Sequence, residues 1–99
     1  MISIHIEFQD GWEGTRVDVR VDDALPVELE PRTRMQTGFA EALVVEVDSG
    51  PHVIVVELVD VAIRGEHPLD ARVETWIGVS REAPDVISFR EQPTLFGYV

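Results

Sequence analysis

Ile2, Ile4, Ile6 and Phe8 alternate with Ser3, His5 and Glu7 at the start of the chain. Successive side chains of an extended strand point to opposite faces, so a period of two describes a strand with one dry face and one wet face. The same rhythm returns at Val17, Val19 and Val21, at Leu43, Val45 and Val47, and at Ala71, Val73, Thr75, Ile77 and Val79. No stretch of convincing length carries a helical period, so the chain is read as all-β. Composition agrees: 16 valines and 7 isoleucines stand among 99 residues, and β-branched side chains pack well on a pleated surface.

Turn residues divide the pattern into seven expected strands. The first runs from Ile2 to Phe8, and two glycines in Gln9–Gly14 lead to a second over Thr15–Val21. These two are expected to form a hairpin. Asp22-Asp23 turns into a short strand, Leu25–Leu29, which Pro26 confines to an edge or a bulge because it cannot donate to a ladder. A fourth strand covers Phe39–Asp48. Ser49-Gly50-Pro51 then turns into a fifth, His52–Val61, apolar on both faces and therefore central. That pair is expected to be a long hairpin at the heart of the fold. Arg64–Pro68 reads as a connection, Asp70–Ser80 as the sixth strand and Val86–Arg90 as the seventh. Spacings of this kind predict one antiparallel β-sandwich domain over residues 1–99, with a small open barrel as the alternative. A single helical turn near Arg32 to Thr37 is the one helix expected.

Eight basic residues face 19 acidic ones, a net charge of −11. Nucleic-acid phosphates and anionic lipids repel such a surface, so neither is an expected partner. Single acids at outward strand positions keep a sheet protein soluble and discourage edge pairing. A sharper reading makes the chain an acidic mimic that blocks a basic surface. All the basic side chains other than histidine are arginine, which reads as a codon bias. There is no cysteine, no basic segment followed by an apolar run and no apolar stretch long enough to span a membrane. A chain that enters a strand directly after Met1 is expected to be a cytoplasmic protein.

The residues that could carry chemistry form no reactive pattern. His5, His52 and His67 are too far apart in sequence for a local chelate. Asp10, Glu13, Asp22 and Asp23 could gather around calcium, but no calcium-loop spacing is present and acidic turns suit any acidic domain. Among 19 acids some pair will face across a cleft by chance, so a glycosidase reading has little support. No nucleophile elbow, phosphate loop or cofactor motif occurs. The chain is expected not to be an enzyme and to need no metal or cofactor. Arg32 and Arg34, flanked by Thr33 and Thr37, could hold a carboxylate or phosphate through bidentate bonds. Pairing with neighbouring acids is the plainer expectation for them.

The hairpin Ser49-Gly50-Pro51-His52 with its valine-rich flanks resembles those of transthyretin-like and carboxypeptidase-regulatory-like β-sandwiches. Phe8-Gln9-Asp10-Gly11-Trp12, Thr33-Arg34-Met35-Gln36-Thr37-Gly38 and Phe96-Gly97-Tyr98-Val99 are similar to segments of short uncharacterised bacterial proteins of this build. The resemblance implies the fold. It implies no activity, and no functional residue follows from it.

Aromatic residues offer the remaining signal. Trp12 stands in a turn, Trp76 on the wetter face of a strand, and Phe96 and Tyr98 in a tail too apolar to fray. Aromatic side chains anchor interfaces. The sequence therefore predicts a non-catalytic sandwich that docks another protein or a second copy of itself, a homodimer, through Trp76, Phe96, Tyr98 and Trp12. Strand addition at a sheet edge is a second route. A carbohydrate-binding module, with Trp12 and Trp76 stacking on sugars, is the alternative. If instead Trp12 folds over a sheet end and Trp76 lines a covered face, both readings lose their anchors.

Overall fold

Two four-stranded sheets stack face to face around one apolar core. The computed structural model describes residues 1–34, 38–83 and 85–97. Its strands are β1 (Ile2–Phe8), β2 (Val17–Val21), β3 (Val27–Leu29), β4 (Glu41–Val47), β5 (Gly50–Leu58), β6 (Ile63–Ala71), β7 (Thr75–Ala83) and β8 (Val86–Gln92). One sheet has the order β4-β1-β7-β8 and the other β3-β2-β5-β6. The architecture is the expected sandwich and not a closed barrel.

Alternation places the core. Ile4, Ile6 and Phe8 of β1, Ile77 and Val79 of β7, Val17 and Val19 of β2, and Ile54, Val56 and Leu58 of β5 point inward and are buried. Each such side chain contributes about 1.5–3 kcal/mol when fully removed from water. Their neighbours in sequence form the two outer faces. A slip of one residue would exchange the faces, which fixes the register.

Several connections differ from the expected ones. There are eight strands, because Asp70–Ser80 is divided: β6 ends at Ala71 in one sheet and β7 starts at Thr75 in the other. Alternation runs on through the crossover, since a period of two does not register a change of sheet. Arg64–Pro68 is no connection but part of β6, where Pro68 is tolerated because β6 is an edge. β1 and β2 lie in different sheets, as do β4 and β5, so neither expected hairpin forms. The long hairpin is instead β5–β6, which pairs from Gly50↔Ala71 to Leu58↔Ile63. β5 is central, between β2 and β6, and β3 is an edge, as the sequence predicts. β1 and β7 run parallel, Ile6 beside Ile77, in an otherwise antiparallel fold.

The two sides of the sandwich are closed unequally. Between β6 and β8 the sheets meet closely. A side chain at Gly65 would place its Cβ 3.0 Å from Ile87 Cβ, so glycine allows the approach. Beside it the His67 ring stacks on Phe89 at 5.2 Å, and its Nε2 lies 2.8 Å from the Glu91 carboxylate. On the opposite side, between β4 and the β2–β3 pair, no such seal is present among the described residues. An apolar cleft of about 290 Å³ remains there.

Candidate functional site

Trp12, expected at an interface, belongs to the core. It is 1% exposed, sets its ring edge-on to Phe8 at 5.1 Å, and donates Nε1–H to the Val79 carbonyl at 3.0 Å. Thr33 fixes the turn that carries it: its Oγ accepts from the Trp12 amide and donates to the Gln9 carbonyl. The ring plugs an end of the sandwich. A large apolar side chain in a loop has no periodicity to reveal its direction, so sequence alone misplaced it.

Phe96 is likewise occupied within its own chain. It is 8% exposed, with the Arg90 guanidinium 4.8 Å from its ring centre. Gln92 Nε2 donates to the Thr94 and Leu95 carbonyls and holds the tail back on the body. Trp76 is half-buried and stacks on His5 at 4.4 Å with an angle of 7° between the rings. His5 Nε2 lies 2.7 Å from the Glu74 carboxylate. Among the described residues the buried Trp76 indole N–H finds no hydrogen-bond acceptor. Tyr98 lies outside the described residues. The four aromatics therefore do not form one exposed patch.

Arg32 and Arg34 are exposed, and among the described residues neither makes an ion pair. The expected pairing with nearby acids is thus not seen. At the start of the helical turn expected near Arg32 to Thr37, their backbones form β-bridges, Arg32 with Glu13 and Arg34 with Phe39. Thr37 and the rest of that expected turn, 35–37, lie outside the described residues. Nothing in the described part of the loop adds a second donor set for an anion.

No group of three or more histidine or acidic side chains is placed to hold a metal among the described residues. Each histidine instead faces one carboxylate: His5 with Glu74, His52 with Asp22 and His67 with Glu91. The His52 pair is the tightest. Nδ1 lies 2.6 Å from Asp22 Oδ2 and Nε2 lies 2.7 Å from the Asp48 carbonyl. Two acceptors around one ring favour the doubly protonated form. The Asp22 carboxylate, then the Asp48 carbonyl, holds His52 above its ordinary pKa. The hydrogen bond from His52, then that from the Val53 amide, holds Asp22 below its own. A hollow of about 490 Å³ lies beside this pair, lined by Pro51, Val53, Pro68 and Leu69. With both nitrogens engaged, His52 cannot accept a substrate's proton without leaving the clamp. The arrangement ties the turn after β2 to the start of β5.

The surface least accounted for by packing is the open side. Val19, Val21, Val27, Leu43 and Val45 line the cleft, with Leu25 at its mouth. Leu25 is 91% exposed, Val27 40% and Val44, on the outer face of β4, 52%. The sequence offered a signal here that aromatic residues obscured. Ala42-Leu43-Val44-Val45 is apolar on both faces, yet β4 is an edge strand.

Comparison with protein-family models, with curated proteins and with solved structures gave no match.

Proposed function

We propose that this small β-sandwich is a non-catalytic docking module that engages a protein through its open side, the β4 edge and the cleft beside it. One observation carries the reading. Leu25 and Val27 remain exposed at an apolar cleft and Val44 on the outer face of the adjoining β4 edge, while the opposite side of the same sandwich is sealed. Contiguous exposed apolar surface marks interaction sites. The engaged ring nitrogens of His52 favour a binding role over a hydrolytic one.

The other readings have less support. Sugar stacking needs exposed rings, but Trp12 is buried and one face of Trp76 is covered by His5. An acidic mimic needs a single-signed array. Here Glu28, Glu66 and Asp70 are interleaved with Arg16, Arg64 and Arg72 at contact distance.

Affinity capture with three baits tests the proposal: wild type, Leu25→Asp with Val44→Asp, and Val61→Asp as a control at an exposed site on another edge of the molecule. The expected result is a defined protein, or the chain itself, retained by wild type and by the control and lost from the double variant. Equal retention by all three baits, or none by any, overturns it.

A further inference from the structure

A sandwich of two open sheets has four edge strands, and three of these are blunted. β3 has three residues and follows Pro26. β6 contains Pro68 and alternates Arg64, Glu66 and Asp70 on its outer face. β8 carries a register shift opposite Arg81–Ala83 and is sealed against β6 through Ile87, Phe89 and Glu91. Such devices prevent edge-to-edge pairing. β4 is neither short nor bulged, and its two charges, Glu41 and Glu46, flank an apolar middle, Ala42-Leu43-Val44-Val45. It pairs with β1 over seven consecutive residues without a bulge, contains neither proline nor glycine, and among the described residues has no strand on its other side. A long, regular, apolar edge of this kind is a template for another strand.

The geometry points to a second copy of this chain as the occupant: β4 pairs antiparallel with its own counterpart about a two-fold axis at Val44. This deepens the docking reading and rests on it. Directly opposed residues of antiparallel strands share a face, so the axis must pass through a residue and not between two. Val44 is the midpoint of Glu41–Val47, and an axis there uses the whole strand. It places Val44 against the partner's Val44, Leu43 against its Val45, Ala42 against its Glu46 and Glu41 against its Val47. No carboxylate faces another, although each copy carries a charge of −11.

The joint also continues features already present in each copy. Val44 lies beside His5, and His5 beside Trp76, in the registers of β4, β1 and β7. Pairing two Val44 side chains joins these into one row across an eight-stranded sheet. The two-fold keeps inner faces together, so Leu25 and Val27 of both copies lie on the same side of the joint. A strand pair of this length lies at the small end of specific interfaces, and the dimer is expected to dissociate at roughly micromolar concentration.

Sedimentation equilibrium on the full chain tests this. Wild type is expected to form a dimer that tightens with salt, because screening weakens the mutual repulsion. Val44→Lys and Val44→Glu, each alone, are expected to weaken it at least tenfold by setting like charges face to face. An equimolar mixture of the two variants is expected to restore the dimer. An axis one residue away would instead oppose residue 44 to Ala42 or Glu46, so the mixture would give no rescue. Circular dichroism reports whether each variant is folded; Ala42→Lys, also at an exposed site, sets a lysine against the partner's Glu46 and is expected to tighten the dimer, a result that carries the test if Val44→Lys does not fold. A wild-type monomer at all concentrations, a dimer indifferent to Val44, or failure of the mixture to rescue overturns the self-pairing. In the first case the docking reading itself falls only if the capture experiment also finds no partner lost from the double variant.

Discussion

His52 Nδ1 lies 2.6 Å from the Asp22 carboxylate, at the point where the chain turns from β2 toward β3 with Asp22 at φ 55°. The other oxygen of Asp22 accepts the Val53 amide at 2.8 Å. One acid thus holds a left-handed turn, a histidine and the start of β5.

The pair makes stability depend on pH in a definite direction. His52 has a raised folded pKa, so its contribution is complete below the unfolded value and is lost as pH rises through the folded one. Asp22 has a lowered folded pKa, so its contribution is present above the unfolded value and is lost as pH falls through the folded one. The clamp is therefore strongest between the two. Urea unfolding of His52→Ala beside wild type should show a deficit of about 1 kcal/mol at mildly acidic pH, modest because Asp22 is half exposed. That deficit should shrink as pH is raised above about 6.5 and through the folded value.

The two tryptophans should respond in opposite ways to loss of the indole N–H. Trp12 Nε1 donates to Val79 in the core, whereas Trp76 Nε1 is buried with no acceptor among the described residues. Removing a buried donor that has a partner leaves a carbonyl unsatisfied, at about 1–3 kcal/mol. Trp12→Phe should cost at least that, with lost packing added. Trp76→Phe should cost distinctly less, since it discards an unpaired polar atom and keeps a ring to stack on His5. Thermal unfolding of both variants checks the order.

Gly11 sits at φ 85°, and a Cβ there would collide with the Arg81 carbonyl. Gly11→Ala therefore combines left-handed strain of about 1–3 kcal/mol with a clash against backbone. Gly97 has open space and no such φ. Gly97→Ala should stay within about 0.5 kcal/mol of wild type. Gly65→Ala should fall between them, because Ile87 and Phe89 must shift to admit the methyl group. Denaturant midpoints for the three variants test the ranking.

Strand identity was legible wherever one face is dry. Ile2–Phe8, Val17–Val21 and the central β5 follow from period two and from a run apolar on both faces. Sheet membership was not legible. Alternation continues through Arg72–Glu74 although the chain changes sheet there, and hairpin turns look like corners where β4 gives way to β5. The burial of the aromatics was not legible for a related reason. Trp12 and Phe96 are large and lie in loops, which resembles display, yet both fill space left by the sheets. Val44 falls on the outward side of the Leu43, Val45, Val47 alternation, and only the strand order shows that it stands on an open edge.

The proposed docking role of β4 is tested most directly by amide hydrogen exchange, resolved by residue, at protein concentrations well below and well above the micromolar dissociation constant expected of the proposed dimer. Self-pairing predicts that alternate amides within Glu41–Val47 gain protection at high concentration, while β3 and β8 are unchanged. Exchange in β4 that is independent of concentration, or protection that appears at β3 or β8 instead, would contradict it.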